Sequence, residues 1–146
     1  MFYYTKVSKE LTMAIEWTSS LSVQVKLMDD QHKTLLNLIN ELNEAMRKGQ
    51  GKDLVGKTIN NLLSYTETHF AAEEKLFDQH SYPAASGQKL MHKKFVDKII
   101  EFKKQHESGK MTLSFDVIDF LSDWLKKHIQ IEDKKYGSFF NEKGVK

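Results

Sequence analysis

Apolar residues recur at three- and four-residue steps along four stretches of this chain, and a single Pro and seven Gly in 146 residues leave little to interrupt them. That spacing is the mark of helices with one buried face. The first stretch follows Asp29-Asp30, read as an N-cap pair, and aligns His32, Leu35, Leu36, Ile39, Leu42 and Met46 before Gly49-Gln50-Gly51 ends it. The second begins near Asp53 and carries Val55, Ile59, Leu62, Thr66, His69, Glu73, Leu76 and Phe77. It stops before Ser81-Tyr82-Pro83, since the residue preceding a proline resists the α region. The third starts around Ser86 and aligns Gln88, His92, Phe95, Ile99, Phe102 and His106, with Gly109 as its C-cap. The fourth aligns Val117, Ile118, Leu121, Trp124, Leu125, His128 and Ile131 and runs to about Tyr136-Gly137. No alternating strand pattern competes over a comparable length. Four amphipathic helices of about 30 Å, at a rise of about 1.5 Å per residue, predict an all-α fold, an antiparallel up-down-up-down four-helix bundle. The β-branched and Ser-rich segment from Trp17 to Lys26 reads as an extended N-terminal arm packed along the bundle. A second Met at position 13 sets residues 1–12 apart as an N-terminal extension and leaves 13–146 as one domain.

Composition narrows the chemistry. The 22 Lys and Arg against 20 Asp and Glu give a net charge of +2, and without a long basic run this argues against a nucleic-acid surface. No run approaches the roughly 18 apolar residues of a membrane span. Lys6, Ser8, Lys9 and Glu10 break the apolar start that a secretory signal would need, so the reading is a soluble cytoplasmic protein with no membrane partner. The absence of Cys removes disulfides, thiolate zinc sites, iron–sulfur clusters and a Cys nucleophile together. Any metal must therefore be held by His and carboxylates.

The inward stripes carry residues that a bundle core should avoid. A buried imidazole or carboxylate without a partner costs on the order of several kcal/mol of desolvation, yet His32, His69, Glu73, Gln88, His92 and His128 all line up with the apolar residues of their helices. Singly, each such His is more often a hydrogen-bonded core residue than a ligand. Jointly, an imidazole from every helix suits a metal centre in the bundle core, where ligands project inward from facing helices. Imidazole and carboxylate without thiolate suit Fe, Mn or Zn.

His69 and Glu73 stand four residues apart and so reach the same point, whereas Glu74 is rotated by about 100°. Gln88 and His92 have the same relation. On the fourth helix Glu132 is four residues from His128, while Asp133 is rotated by about 140° on an ideal helix, so geometry alone favours Glu132. No His has a Glu three residues before it, as ferritin-like di-iron sites require, and no His-Glu-x-x-His, G-x-G-x-x-G, Walker loop or G-x-S-x-G is present.

Asp30-Gln31-His32, then His69-Phe70-Ala71-Ala72-Glu73-Glu74, Tyr82-Pro83, His92, and Trp124-Leu125-Lys126-Lys127-His128-Ile129 through Asp133 resemble the hemerythrin family, in particular its bacterial single-domain members. The match runs from about Trp17 to Gly137, with order and spacing kept. The resemblance implies reversible O₂ binding, as carrier, store or local delivery, at a non-haem di-iron centre with an oxo or hydroxo bridge. It implies that His32 and His69 hold one iron, that His92 and His128 hold the other, and that Glu73 and Asp133 bridge, against the geometric preference for Glu132. It also implies an O₂ pocket of Leu35, Phe70, Trp124, Leu125 and Ile129, residues that serve equally as core packing.

Gln88 departs from the family's His-x-x-x-His, and three outcomes stay open there: ligation through the amide oxygen, water in its place, or one iron only. Two other functions draw on the same departure. One is a di-iron peroxidase, oxidase or nitric-oxide-handling enzyme; the other is a metal-depleted bundle acting as a sensor or interaction module. O₂ is the expected partner, and the sequence names no protein partner. The four ligand His are expected to be neutral at pH 7, with His80 and His106 as free titrators.

Overall fold

The computed structural model describes residues 14–49, 51–109 and 115–146. The extension expected at 1–12 lies outside the described residues. Four long helical segments form the bundle: α1 (Lys26–Arg47), α2 (Lys52–Gln79), α3 (Ala85–Ser108), and α4 (Phe115–His128), which continues through a π-helical turn at Ile129–Asp133 into α5 (Lys134–Glu142). There is no strand among the described residues, and no helix is long and apolar enough to cross a membrane.

The short turn after α1 and the one after α2 reverse the chain, so that α1 packs on α2, α2 on α3, and α4 back on α1. Between α3 and α4 the contact is aromatic, with Phe95 stacked on Trp124 at a centroid distance of 4.1 Å. The expected stripes face inward: Leu35, Ile39, Leu42, Ile59, Leu62, Phe95, Ile99 and Leu121 are all buried. Each such side chain contributes about 1.5–3 kcal/mol of burial.

The ends have local causes. After α2, Ser81 takes the left-handed conformation at φ 53° while the Tyr82 amide bonds back to the Phe77 carbonyl and the His80 amide to that of Leu76. This closes the helix before Pro83. Gly109, at φ 68°, ends α3 as expected. The start of α1 differs from the sequence reading, because Asp29-Asp30 is not its N-cap and the helix begins at Lys26. Asp29 instead sits in the first turn, accepting hydrogen bonds from the Val23 amide at 2.8 Å and the Ser22 hydroxyl at 2.6 Å. It thereby holds the incoming arm against the helix it starts.

That arm is irregular rather than fully extended, with a 3-10 turn at Ser19–Leu21, and it buries alternate residues Leu21, Val23 and Val25. Asn40 fastens its start, accepting from the amides of Ala14 and Ile15 at 2.8 and 3.0 Å and donating to the Ile15 carbonyl at 2.8 Å.

Candidate metal centre

The polar residues of the four stripes converge in the bundle core. His32 comes from α1, His69 and Glu73 from α2, Gln88 and His92 from α3, His128 from the end of α4, and Asp133 from the π turn, and all seven are buried. Among the described residues, two groups of donors are close enough to hold an ion: His32, His69 and Glu73, and beside them His92, His128 and Asp133.

The carboxylates link the two groups. Glu73 Oε2 lies 3.3 Å from the Nε2 atoms of both His32 and His69, and its Oε1 lies 3.2 Å from His92 Nε2. Asp133 Oδ2 is 3.2 Å from His32 Nε2, and its Oδ1 is 3.2 Å from His128 Nε2. Each carboxylate thus offers one oxygen to each half. Metal–ligand bonds of about 2.1 Å at near-right angles separate neighbouring donor atoms by about 3 Å, so these spacings are compatible with donors that share an ion.

The outer ring nitrogens fix which atom faces inward. His92 Nδ1 donates to Glu74 Oε2 at 2.9 Å, and His69 Nδ1 donates to Gln31 Oε1 at 2.7 Å. With the proton on Nδ1, Nε2 presents a lone pair to the centre. Glu74, rotated away from the centre as expected, acts on it through the imidazole. Aromatic faces restrain the rings further: Phe70 stacks on His92 at 3.8 Å and Trp124 on His128 at 4.4 Å. His92 Nε2, His128 Nε2 and Glu73 Oε1 are buried and have no hydrogen-bond partner. Buried lone pairs facing one another call for a positive charge between them, a proton or a metal ion, and imidazole with carboxylate is a donor set that first-row metals accept.

The π turn explains the position of Asp133. Its i→i+5 hydrogen bonding, visible in the Lys134 amide bonded to the Ile129 carbonyl, brings the residue five after His128 onto the face of His128. Asp133 is buried and Glu132 is turned partly to solvent. The preference for Glu132 assumed an unbroken α-helix and is corrected here.

Tyr136 is a site residue that the periodicity did not single out. Its hydroxyl donates a short hydrogen bond to Glu73 Oε2. Burial, followed by the charges of Glu73 and Asp133, raises its pKa well above 10, so the proton stays on the phenol. Its place one turn beyond Asp133 on an inward face was the available signal. Of the expected pocket residues, Leu35, Phe70, Leu125 and Ile129 are buried, and Trp124 is half-buried against His128. His80 packs against Phe140, and His106 donates to the Lys52 carbonyl at 2.9 Å; neither joins the residues gathered at the centre.

The carboxylates favour the protonated form of two of the imidazoles they face. Burial disfavours the charge on His32, but hydrogen bonds to Asp133 and Glu73 outweigh it and raise the pKa to about 9. His92 is raised as well, again against burial, by Glu73 first. Glu73 is held well below 4.5 although burial opposes this, through attraction to His69 and its close approach to His32, His69 and His92. The stabilisation from the raised His32 is complete below its ordinary value near 6.5 and is lost as pH rises through about 9. An ion entering the centre must displace this proton. Anaerobic titration with Fe(II) at pH 7 in weak buffer is therefore expected to release protons, and affinity is expected to rise from pH 6 to 9. A pH-independent affinity would show that His32 does not exchange its proton for metal.

A family model described as hemerythrin HHE cation binding domain matches residues 23–140. The bacteriohemerythrin of Stenotrophomonas maltophilia is 30% identical over 120 residues, covering 82% of this chain and 77% of its own. That of Methylococcus capsulatus is 31% identical over 122 residues, covering 83% of this chain and 92% of its own. The crystal structure of a wild-type hemerythrin superposes with a TM-score of 0.81 at 30% identity, over 85% of this chain and 95% of that one.

Proposed function

The chain belongs to the hemerythrin family, and from that premise we propose that it binds O₂ reversibly at a di-iron centre as a carrier or store rather than as an enzyme. The observation that carries this reading is the division of Glu73 and Asp133, one oxygen to each pair of imidazoles, in the buried core of the bundle. In the proposal His32 and His69 hold one iron, His92 and His128 the other, and Glu73 and Asp133 bridge them. Bound iron supplies the electrons that reversible O₂ uptake needs.

The chain's own residues do the rest. Gln31 and Glu74 orient His69 and His92, and neutral Tyr136 holds Glu73 through its phenolic proton. Leu35, Phe70, Trp124, Leu125 and Ile129 form the apolar walls of the proposed O₂ pocket. Keeping water from the reacting atoms slows proton delivery, which separates a carrier from an oxidase.

Anaerobically reconstituted protein is expected to hold two irons per chain. After reduction and exposure to O₂ it should develop a visible charge-transfer band that disappears on deoxygenation. Less than one iron per chain would remove the di-iron reading. A band that forms once and does not reverse would favour the oxidase instead.

A further inference from the structure

Gln88 is buried beside His92, His128 and Asp133, yet the proposed ligand set does not use it. Its Nε2 donates to Asp133 Oδ1 at 2.9 Å. An amide nitrogen donates hydrogen bonds and has no free lone pair for a metal, so the atom turned toward the bridging carboxylate is not a ligand atom. Gln88 Oε1, on the other branch of the amide, is buried without a hydrogen-bond partner. A buried acceptor without a partner calls for a cation or for an O–H or N–H donor, and the bond that ties the amide to Asp133 favours the donor.

The two halves are also matched in composition. His32, His69 and Glu73 face His92, His128 and Asp133, two imidazoles and one carboxylate on each side. With both carboxylates shared, each half has two imidazoles and one oxygen from each carboxylate, which leaves positions open on a six-coordinate ion. A third imidazole at position 88 would have closed one half; an amide that hydrogen-bonds to Asp133 leaves it open.

Resting on the di-iron reading, we infer that Gln88 anchors Asp133 rather than ligating metal, so the His92–His128 half keeps an exogenous-ligand position of its own. That position takes water, whose O–H donates to Gln88 Oε1, and water there is displaced by a small diatomic ligand. The centre then offers two exogenous positions, one on each half.

Nitric oxide, a neutral ligand for ferrous iron, counts these positions. Iron content is measured first, and then the diferrous chain is titrated with NO and its infrared N–O stretches are recorded. The wild-type chain is expected to bind two NO with two resolved stretches, and Gln88→His to bind one. Gln88→Leu keeps the space open without an amide, so it should still bind two, with the second stretch shifted by loss of the neighbouring carbonyl. One NO on a wild-type chain that holds two irons would count Gln88 as a ligand and overturn the inference while the di-iron reading stands. Two NO on Gln88→His would overturn it by showing that residue 88 does not control the second position. Less than one iron per chain would remove the di-iron reading and the inference together. The wild-type count decides the question even if Gln88→His does not fold.

Discussion

Glu73→Ala is expected to reduce iron content from two per chain to below one and to destabilise the chain in the same step. Glu73 is fully buried, contacts His32, His69 and His92 at 3.2–3.3 Å, and accepts the hydrogen bond of Tyr136. Removing it takes one donor from each half of the proposed centre. It also leaves three buried imidazoles and a buried phenol short of the group that offsets their desolvation. Breaking a buried charged network from one side costs about 3–5 kcal/mol, a large share of the roughly 5–15 kcal/mol that a domain has. Elemental analysis after anaerobic loading measures the first effect, and urea unfolding in the presence of a chelator measures the second. Full iron retention by a folded Glu73→Ala chain would remove Glu73 from the bridging role.

Gly137→Ala is expected to destabilise the protein by about 2 kcal/mol, although alanine is by about 1 kcal/mol the better helix former. A Cβ at Gly137 would lie 2.1 Å from the Val23 carbonyl oxygen and 3.1 Å from its carbon. The clashing atoms are backbone, and that backbone is held, since the Val23 amide donates to Asp29 at 2.8 Å. Overpacking of this kind costs about 1–3 kcal/mol and occasionally more, so the contact outweighs the gain in propensity. The effect should reach the metal centre, because Tyr136 adjoins Gly137 and positions Glu73. Urea denaturation and iron retention measured on the same variant test both parts. A change in stability under about 0.5 kcal/mol, the range of ordinary surface substitutions, would mean that the arm does not pack on α5 as described.

Much of this architecture is legible in the sequence because burial writes itself into periodicity. Leu35, Ile39 and Leu42 on α1, or Phe95 and Ile99 on α3, recur at the pitch of an α-helix because one face must leave water. His69 and Glu73 were readable for the same reason: four residues apart on a regular helix, they share a face. The Asp29-Asp30 boundary was misread because acidic residues also suit the first turn of a helix, and here Asp29 holds the arm rather than capping the end. Gln31, Glu74 and Tyr136 act across the bundle, and no local spacing reports a partner on another helix.

From its letters alone, this chain determined four inward stripes, the donors set on them, and a centre built without sulfur. Tertiary structure decided how those donors meet. A stripe is read at about 100° per residue, and that assumption fails at Ile129–Asp133, where the π turn adds a residue and exchanges Glu132 for Asp133. Local propensity does not encode such a turn. It persists because Asp133 finds His32, His128 and Gln88 in the core, contacts that exist only once the four helices are packed.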